Sequence, residues 1–417
     1  MDEIPVDLVH KIFIMIPIKS LLQARCVSKS WCKIIDDPFF AHIKYDCGEV
    51  EQIALSQEIS DFSSPVKTIS LYAAAAGYDN EESMMIHATT VPMVKFQNFG
   101  DNGGYGYCKG LLYFAEHYTG RIVVSNPVRS QFTILPPVPV QMDYCWFSYW
   151  TAIGLGFDSS TKTFKMVCTN KKQESSQFTL VHTLGTTSWR EVPSVPAYYC
   201  DQVLDCNSVF VHGFLHWMID PSDSEIKNER ARILAFDVSK ETFKVVPHPE
   251  LRFNEHSDTY FRILDIEGNL GMLDLSPRTK FDIWVMDYEK KSWNKEFTID
   301  ITIVGDIYVD STRVVGLWKH DEIIFLFFKQ DHWGVDSENY WSYSMRTCSI
   351  KECDVPVGRA FSLQRSLISI PGATKVSRLD CPGRDGDKGW HAGVPATPKP
   401  GVFKKLVVKF MEKIMCS

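Results

Sequence analysis

The 417-residue chain is short of several things. It has no long apolar run. The strongest, Ile12 to Ile16, is cut by Pro17, far from the ~20 residues that span a bilayer. Its first residues are acidic, with no basic stretch ahead of an apolar one, so a secretory signal is not expected. It has no excess of positive charge: 44 Lys and Arg face 51 Asp and Glu, a net −7. That removes any general attraction to nucleic acid or to an anionic membrane. Its twelve cysteines include no CxxC pair. Cys26 and Cys32 lie six apart, as do Cys200 and Cys206, and neither spacing is a zinc signature. Reduced, mostly buried thiols in a cytoplasmic or nuclear protein are expected, with no metal or cofactor. GxSxG, HExxH and Walker patterns are missing too. The glycines of "FGDNGGYGYCKG" suit a loop or turn, since no GxGxxG opens a helix there.

What is present falls into two unequal parts, and the length itself suits two domains. Near the start, Pro5 suits the first turn of a helix. Leu8, Val9, Ile12, Phe13 and Ile16 then share one helical face until Pro17 ends it. Ser20 is placed to cap a second helix with Leu21 and Leu22. Ser28 is placed to cap a third with Trp31, Ile34 and Ile35, and Pro38 to stop it. Three short helices in about forty residues make a unit with poor surface-to-volume ratio. By periodicity alone, a helical cap docked on the following domain and a docking module covered by another protein stand equal.

The residues go further. Ile4-Pro5, Asp7-Leu8-Val9, Ile12, Ile16-Pro17-Ile18-Lys19-Ser20-Leu21-Leu22, Arg25-Cys26-Val27-Ser28-Lys29-Ser30-Trp31 and Asp37-Pro38-Phe39 closely resemble the plant F-box motif over residues 2 to about 43. The resemblance implies a three-helix module, residues 1–45, that binds a Skp-type adaptor. Pro5, Leu8, Ile12, Ile16, Pro17, Leu21, Leu22, Val27 and Trp31 are the implied contacts, with cullin and RING subunits joined through the adaptor.

From about residue 105 a β unit recurs. One half is a polar residue, Gly, then Leu and aromatics: "CKGLLYF", "VHGFLHWM", "IEGNLGML", and without its Gly "WKHDEIIFLFF". The other half is a hairpin in which a turn-prone residue precedes an aromatic by six: Asn126 and Phe132, Asp158 and Phe164, Asp237 and Phe243, Asp287 and Trp293. Thr183 and Trp189 repeat the spacing. Asn and Asp start such turns by bonding their own backbone, and the aromatic packs on the sheet. Two linked hairpins make a four-stranded sheet, and repetition at roughly 40–50 residues marks a propeller blade. Five units fill 105–355. Pieces at 66–72 and 91–99, closed by "AFSLQRSLISI" at 360–370, supply another. The expected fold is mainly β: the helical module, then a β-propeller-like domain of about six degenerate blades. An irregular stack of β-sandwiches is the alternative. "CKGLL", "SNP", "GFD", "FKMV", "HTLGTTSWREV", "VHGFLHWM", "ILAFDVSKETFKVVPHPE" and "DIWVMDY" with "SWNKEFTI" also resemble the F-box-associated, kelch-like domain of plant F-box proteins. That resemblance implies a substrate-recruiting domain over 105–370, after a connector and first blade at 46–104. It assigns no substrate contact.

Two constellations invite chemistry. His212 and His216 alternate with Val211, Gly213, Leu215 and Trp217 as in a strand. Four residues of strand span ~13 Å, too far for two ligands at ~2 Å from one ion. Asp158, Asp237 and Asp287 recur at one place in the repeat, which marks turn residues rather than catalytic carboxylates. After Pro371, the Gly- and Pro-rich stretch to 401 is a linker. "VFKKLVVKFMEKIMCS" then puts Phe403, Leu406, Val407, Phe410 and Ile414 on one face beside four lysines. A tail without defined role is expected over 371–417, with membrane contact or partner binding as the alternative. Together these features imply a non-catalytic substrate-recognition subunit of an SCF-type ubiquitin ligase, recruiting a protein target for degradation. The alternatives are a hydrolase-like propeller enzyme and a non-degradative F-box interaction protein.

Overall fold

The computed structural model describes residues 6–47, 52–59, 68–79, 83–88, 94–97, 103–116, 120–139, 152–171, 177–196, 208–218, 231–249, 261–275, 280–302, 313–318, 322–330, 336–354 and 359–375. Pro5 and the tail beyond 375 lie outside them.

Four helices come first: α1 (Val6–Met15), α2 (Ile18–Ala24), α3 (Lys29–Ile35) and α4 (Pro38–Cys47). Two expectations need correction. Ser20 lies inside α2, whose N-cap is Pro17, without a side-chain cap. Pro38 does not merely stop α3; it opens a fourth helix. Asp37 precedes it and accepts from the N–H groups of Phe39 (2.8 Å) and Phe40 (3.1 Å). A capping carboxylate followed by proline is a start signal as much as a stop. Ser28 does cap α3, its Oγ accepting from Trp31 N at 3.1 Å.

The β part begins with β1 (Gln52–Ile59), β2 (Thr68–Asp79), β3 (Ser83–Ala88) and β4 (Val94–Gln97). Four antiparallel sheets follow in chain order. The first holds β5 (Gly103–Cys108), β6 (Leu111–Glu116), β7 (Ile122–Asn126) and β8 (Gln131–Ile134). The second holds β9 (Ala152–Asp158), β10 (Thr163–Lys171), β11 (Gln177–Thr183) and β12 (Arg190–Val192). The third holds β13 (Val209–Val211), β14 (Phe214–Met218), β15 (Ala231–Asp237) and β16 (Thr242–Pro247). The fourth holds β17 (Phe261–Ile266), β18 (Asn269–Asp274), β19 (Lys280–Asp287) and β20 (Ser292–Asp300). A fifth consists of β21 (Arg313–Trp318), β22 (Glu322–Gln330), β23 (Asp336–Ser344) and β24 (Ser349–Asp354). Last, β25 (Arg359–Gln364) returns to pair with β1, so that the sixth sheet runs β25-β1-β2-β3 and joins both ends of the β region. The final strand, β26 (Thr374–Lys375), adds to β8. The leading strands β5, β9, β13, β17, β21 and β25 lie side by side in that order. This is a six-bladed propeller, not a stack of sandwiches. The fifth and sixth blades also share backbone: β24 pairs in parallel with β3 through Cys353–Met84 and Asp354–Met85.

The repeat works through its turns. Lys109-Gly110, His212-Gly213 and Glu267-Gly268 each have positive φ at both residues. That is the two-residue hairpin turn whose twist matches the strands and which favours glycine second. In the other hairpin, Asp158 Oδ1 accepts from Ser160 and Thr161 N–H, Asp237 from Ser239 and Lys240, and Asp287 from Glu289 and Lys290. Each loop closes on a residue at φ 54–57: Lys162, Glu241 and Lys291. Ser344 begins a further copy, taking Thr347 N–H on its Oγ and ending at Cys348, φ 52.

Blades are tied by polar handles on aromatic rings, which buried Tyr and Trp usually need. Tyr113 OH and Trp217 Nε1 both donate to Ile153 O, from the first and third blades to the second. Of the six cysteines whose burial is described, Cys108 and Cys168 are buried, Cys32 is half-buried, and Cys26, Cys47 and Cys348 are exposed, so these six are not mostly buried as expected. No helix among the described residues is long and apolar enough to cross a membrane.

Candidate functional site

The helices have two faces. One packs on the propeller: Phe13, Ile18, Leu21, Trp31, Ile35 and Phe40 belong to a single apolar cluster with Leu111, Tyr113, Phe157, Phe164, Leu184 and Ile368. Phe13 meets Trp31 edge-on at 5.2 Å. Part of the apolar face that the sequence leaves for another protein is therefore covered by the chain itself.

Charges fasten this contact. Asp36, at the end of α3, accepts from Arg25 (2.6 Å) and from Arg129 of the first blade (2.7 Å). Burial alone would raise its carboxyl, but the bonds from Arg25 and Arg129 outweigh it and hold Asp36 below the usual value. Lys109 bonds Asp46 and lies over the rings of Tyr45 and Phe157, 5.1 Å from each centroid. His42 on α4 sits 4.8 Å from the Phe157 ring. Its Nδ1 is buried without a hydrogen-bond partner. Burial, then the charge of Lys109, depress its pKa.

The other face is open. Val6, Leu8 and Met15 on α1 and Phe39 at the start of α4 are exposed, Leu8 by 49% and Phe39 by 69%. Among the implied adaptor contacts, Leu8 and Pro17 are exposed, and Ile12, Leu22 and Val27 are half-buried. Ile16, Leu21 and Trp31 are packed inside, Leu21 with no exposure at all. These three shape the open surface from beneath rather than presenting themselves. Met15 and Phe39 are not among the adaptor contacts implied by the sequence, although Phe39 belongs to the Asp37-Pro38-Phe39 stretch of the F-box resemblance. Met15 lies outside the apolar face drawn from spacing, and Phe39 belongs to the helix that reading lacks.

The constellations with chemical promise resolve differently. His212 and His216 do not share a strand: His212 is in the turn, φ 50, and His216 in β14. Both reach Tyr288 of the fourth blade, His212 ring against ring at 4.2 Å and His216 through Nε2 to the hydroxyl at 3.1 Å. His216 Nδ1 lies 3.2 Å from Val209 O. A carbonyl can only accept, so Nδ1 carries the proton and Nε2 accepts from Tyr288. Burial pushes the His216 pKa down to about 3, so the ring is neutral and holds two blades together. Among the described residues no three His, Cys, Asp or Glu side chains gather as a metal site requires.

Asp158, Asp237 and Asp287 are turn residues, and Asp158 does more. It bonds Lys165 Nζ at 2.8 Å and receives Ser239 Oγ from the next blade at 2.7 Å. Lys165 also reaches Val238 O and Glu241, which in turn pairs with Arg190. Burial would raise Asp158, but hydrogen bonds from Lys165, Ser160 and Ser239 drive its pKa far below the carboxylate range. The carboxylate is spent on holding the second and third blades together.

Comparison with known proteins agrees with this architecture. Residues 1–42 match the F-box domain, and residues 65–355 match the F-box associated beta propeller domain. An F-box protein of Arabidopsis thaliana is 26% identical over 354 residues, covering 78% of this chain and 81% of its own. The Arabidopsis F-box protein CPR1 is 25% identical, covering 72% and 73%. An Arabidopsis F-box/kelch-repeat protein is 24% identical, covering 71% and 79%. Among solved structures, the periplasmic gluconolactonase of Pseudomonas aeruginosa aligns over 75% of this chain and 99% of its own, at 10% identity and a TM-score of 0.38. With an F-box seated on a propeller that the matched domain covers but for β1, the closing β25 and the final β26, the chain belongs to the plant F-box proteins with an F-box-associated, kelch-like propeller.

Proposed function

We propose that the protein is the substrate-recognition subunit of an SCF-type ubiquitin ligase. An F-box implies a Skp-type adaptor; the finer assignment is that the open face of α1, α2 and α4 is where the adaptor binds. Leu8, Ile12, Pro17, Leu22 and Val27 contribute directly, with Pro5 ahead of them. Ile16, Leu21 and Trp31 hold the face in shape. Cullin and RING subunits join through the adaptor. The propeller recruits a protein target for ubiquitination and proteasomal degradation in the cytoplasm, the nucleus or both. The subunit itself performs no chemistry; rate enhancement comes from a raised effective concentration of target lysines near the loaded conjugating enzyme. Asp158, Asp237 and Asp287, the carboxylates an enzyme reading would need, are occupied by their own turns.

The observation that carries this reading is the group of exposed apolar side chains, Val6, Leu8, Met15 and Phe39, on a module whose other face is already packed. The test is calorimetry of the full chain with a purified plant Skp-type adaptor, beside Leu8→Glu and Met15→Glu. Both residues are exposed, so the fold should melt unchanged while binding weakens by about tenfold or more. Wild-type affinity in both variants would overturn the assignment of this face.

A further inference from the structure

The F-box does not rest on the propeller directly everywhere. Between them runs residues 365–373, after the closing strand β25 and before β26. Neither the F-box match nor the propeller match reaches this far. Its Leu367, Ile368 and Ile370 are buried in the cluster that holds Phe13, Trp31 and Ile35. The first blade grips its backbone. Asn126 Nδ2 donates to Ser366 O at 3.1 Å and Ile368 O at 2.7 Å. Gln131 Oε1 accepts from Ile370 N–H and Ser369 Oγ. Arg129 joins all three bodies, donating to Leu367 O at 2.9 Å and to Asp36 of the F-box at 2.7 Å. Glycines give the segment room: a Cβ on Gly110 would come 2.3 Å from Ser366 Cβ, and one on Gly185 2.9 Å from Pro371 Cβ. The strap thus crosses from the first blade to the second beneath the helices.

We infer that residues 365–375 are a clasp that makes seating of the F-box depend on closure of the ring. The order of the chain requires it. The strap follows β25, and β25 closes the sixth blade against β1. Only a closed ring brings the strap to Asn126, Arg129 and Gln131, and only then is the seat for Asp36 and the helices complete. An unclosed ring leaves the F-box without its seat. The inference stands whether or not the open face binds an adaptor, because its readout is the seat itself.

Hydrogen exchange on the full chain tests it, against three variants. The first ends at residue 364, which keeps β25 and removes the strap. The second ends at 375. The third is Arg129→Ala. Ending at 375 should leave every rate unchanged. Ending at 364, and Arg129→Ala, should each speed exchange in α2 to α4 by roughly tenfold, with the third and fourth blades unaffected. Unchanged F-box protection in both would overturn the clasp. Faster exchange in the third and fourth blades of the 364 variant would overturn it too, by assigning the strap to ring closure alone. Ile368→Asp, with β25 and the strap backbone both in place, should reproduce the F-box loss; full protection there counts against it.

Discussion

Single residues on the seat carry more than their own contacts. Trp31 is buried against Phe13. Its replacement by alanine should cost about 3–5 kcal/mol, seen as loss of the F-box transition in thermal unfolding. Because Trp31 shares a cluster with the first two blades, their inner amides should also exchange faster. His42 adds a pH dependence. Its charged and titratable surroundings are Lys109 and Lys162 from the propeller and Asp46 on its own helix. Its folded pKa lies below the unfolded value near 6.5, so protons bind the unfolded state more tightly. The contribution is complete above that value and declines as pH falls through it toward the folded pKa. The difference between the urea midpoints of His42→Phe and wild type should therefore shift in favour of the phenylalanine variant as pH falls from 8 to 5. Arg129, Asp36, Lys109 and Asp46 could not be read from sequence. Arg129 and Asp36 are 93 positions apart, and no local pattern announces a pair that only the folded chain brings together.

At the scale of elements, the hairpins were legible because their chemistry is local. An aspartate that bonds the backbone two and three residues on, followed by an aromatic at six, spells a turn in one short stretch. Where both marks are lost, as at Ser344 with Ile350 six positions on, the same hairpin goes unread. The Pro38 helix was missed for the reverse reason, since one residue type signals both an end and a start. The aspartates also differ in weight. Asp158 is buried, and its removal takes from the buried Lys165 one of its two carboxylate partners, leaving Glu241, whereas Asp287 is part-exposed and pairs only with the exposed Lys290. Asp158→Asn should lose about 3 kcal/mol in denaturant unfolding at pH 7, and Asp287→Asn far less. The Asp158 pKa is depressed, so its stabilisation is present above the unfolded value near 4 and is lost as pH falls below it. Between pH 6 and pH 3 wild type should lose stability faster than Asp158→Asn.

For the whole molecule, five blades could be counted from repetition, since each unit copies the last, while the sixth was legible only as scattered strand pieces and a closing segment, with β1 and β3 unread. The packing of the helices on the ring could not be read, because a short apolar face does not say which protein covers it. That closure has a mechanical side. The two ends of the β region meet in one blade, with β25 laid along β1 and β26 at the rim of the first blade. A machine pulling from the C-terminal end meets these pieces in order: β26, then the strap, then β25. β26 and β25 are edge strands of their sheets, β25 on the inner edge beside β21, and the strap is a single segment, so they come away one by one instead of shearing a whole blade. Residues 359–375 would be released first, on the order of 60 Å of extended chain, and the F-box would come off its seat while the blades from β5 to β24 were still intact. In an optical trap this is a short early rip ahead of the main unfolding. Pulled from that end, the chain gives up the seat of its F-box before any whole blade.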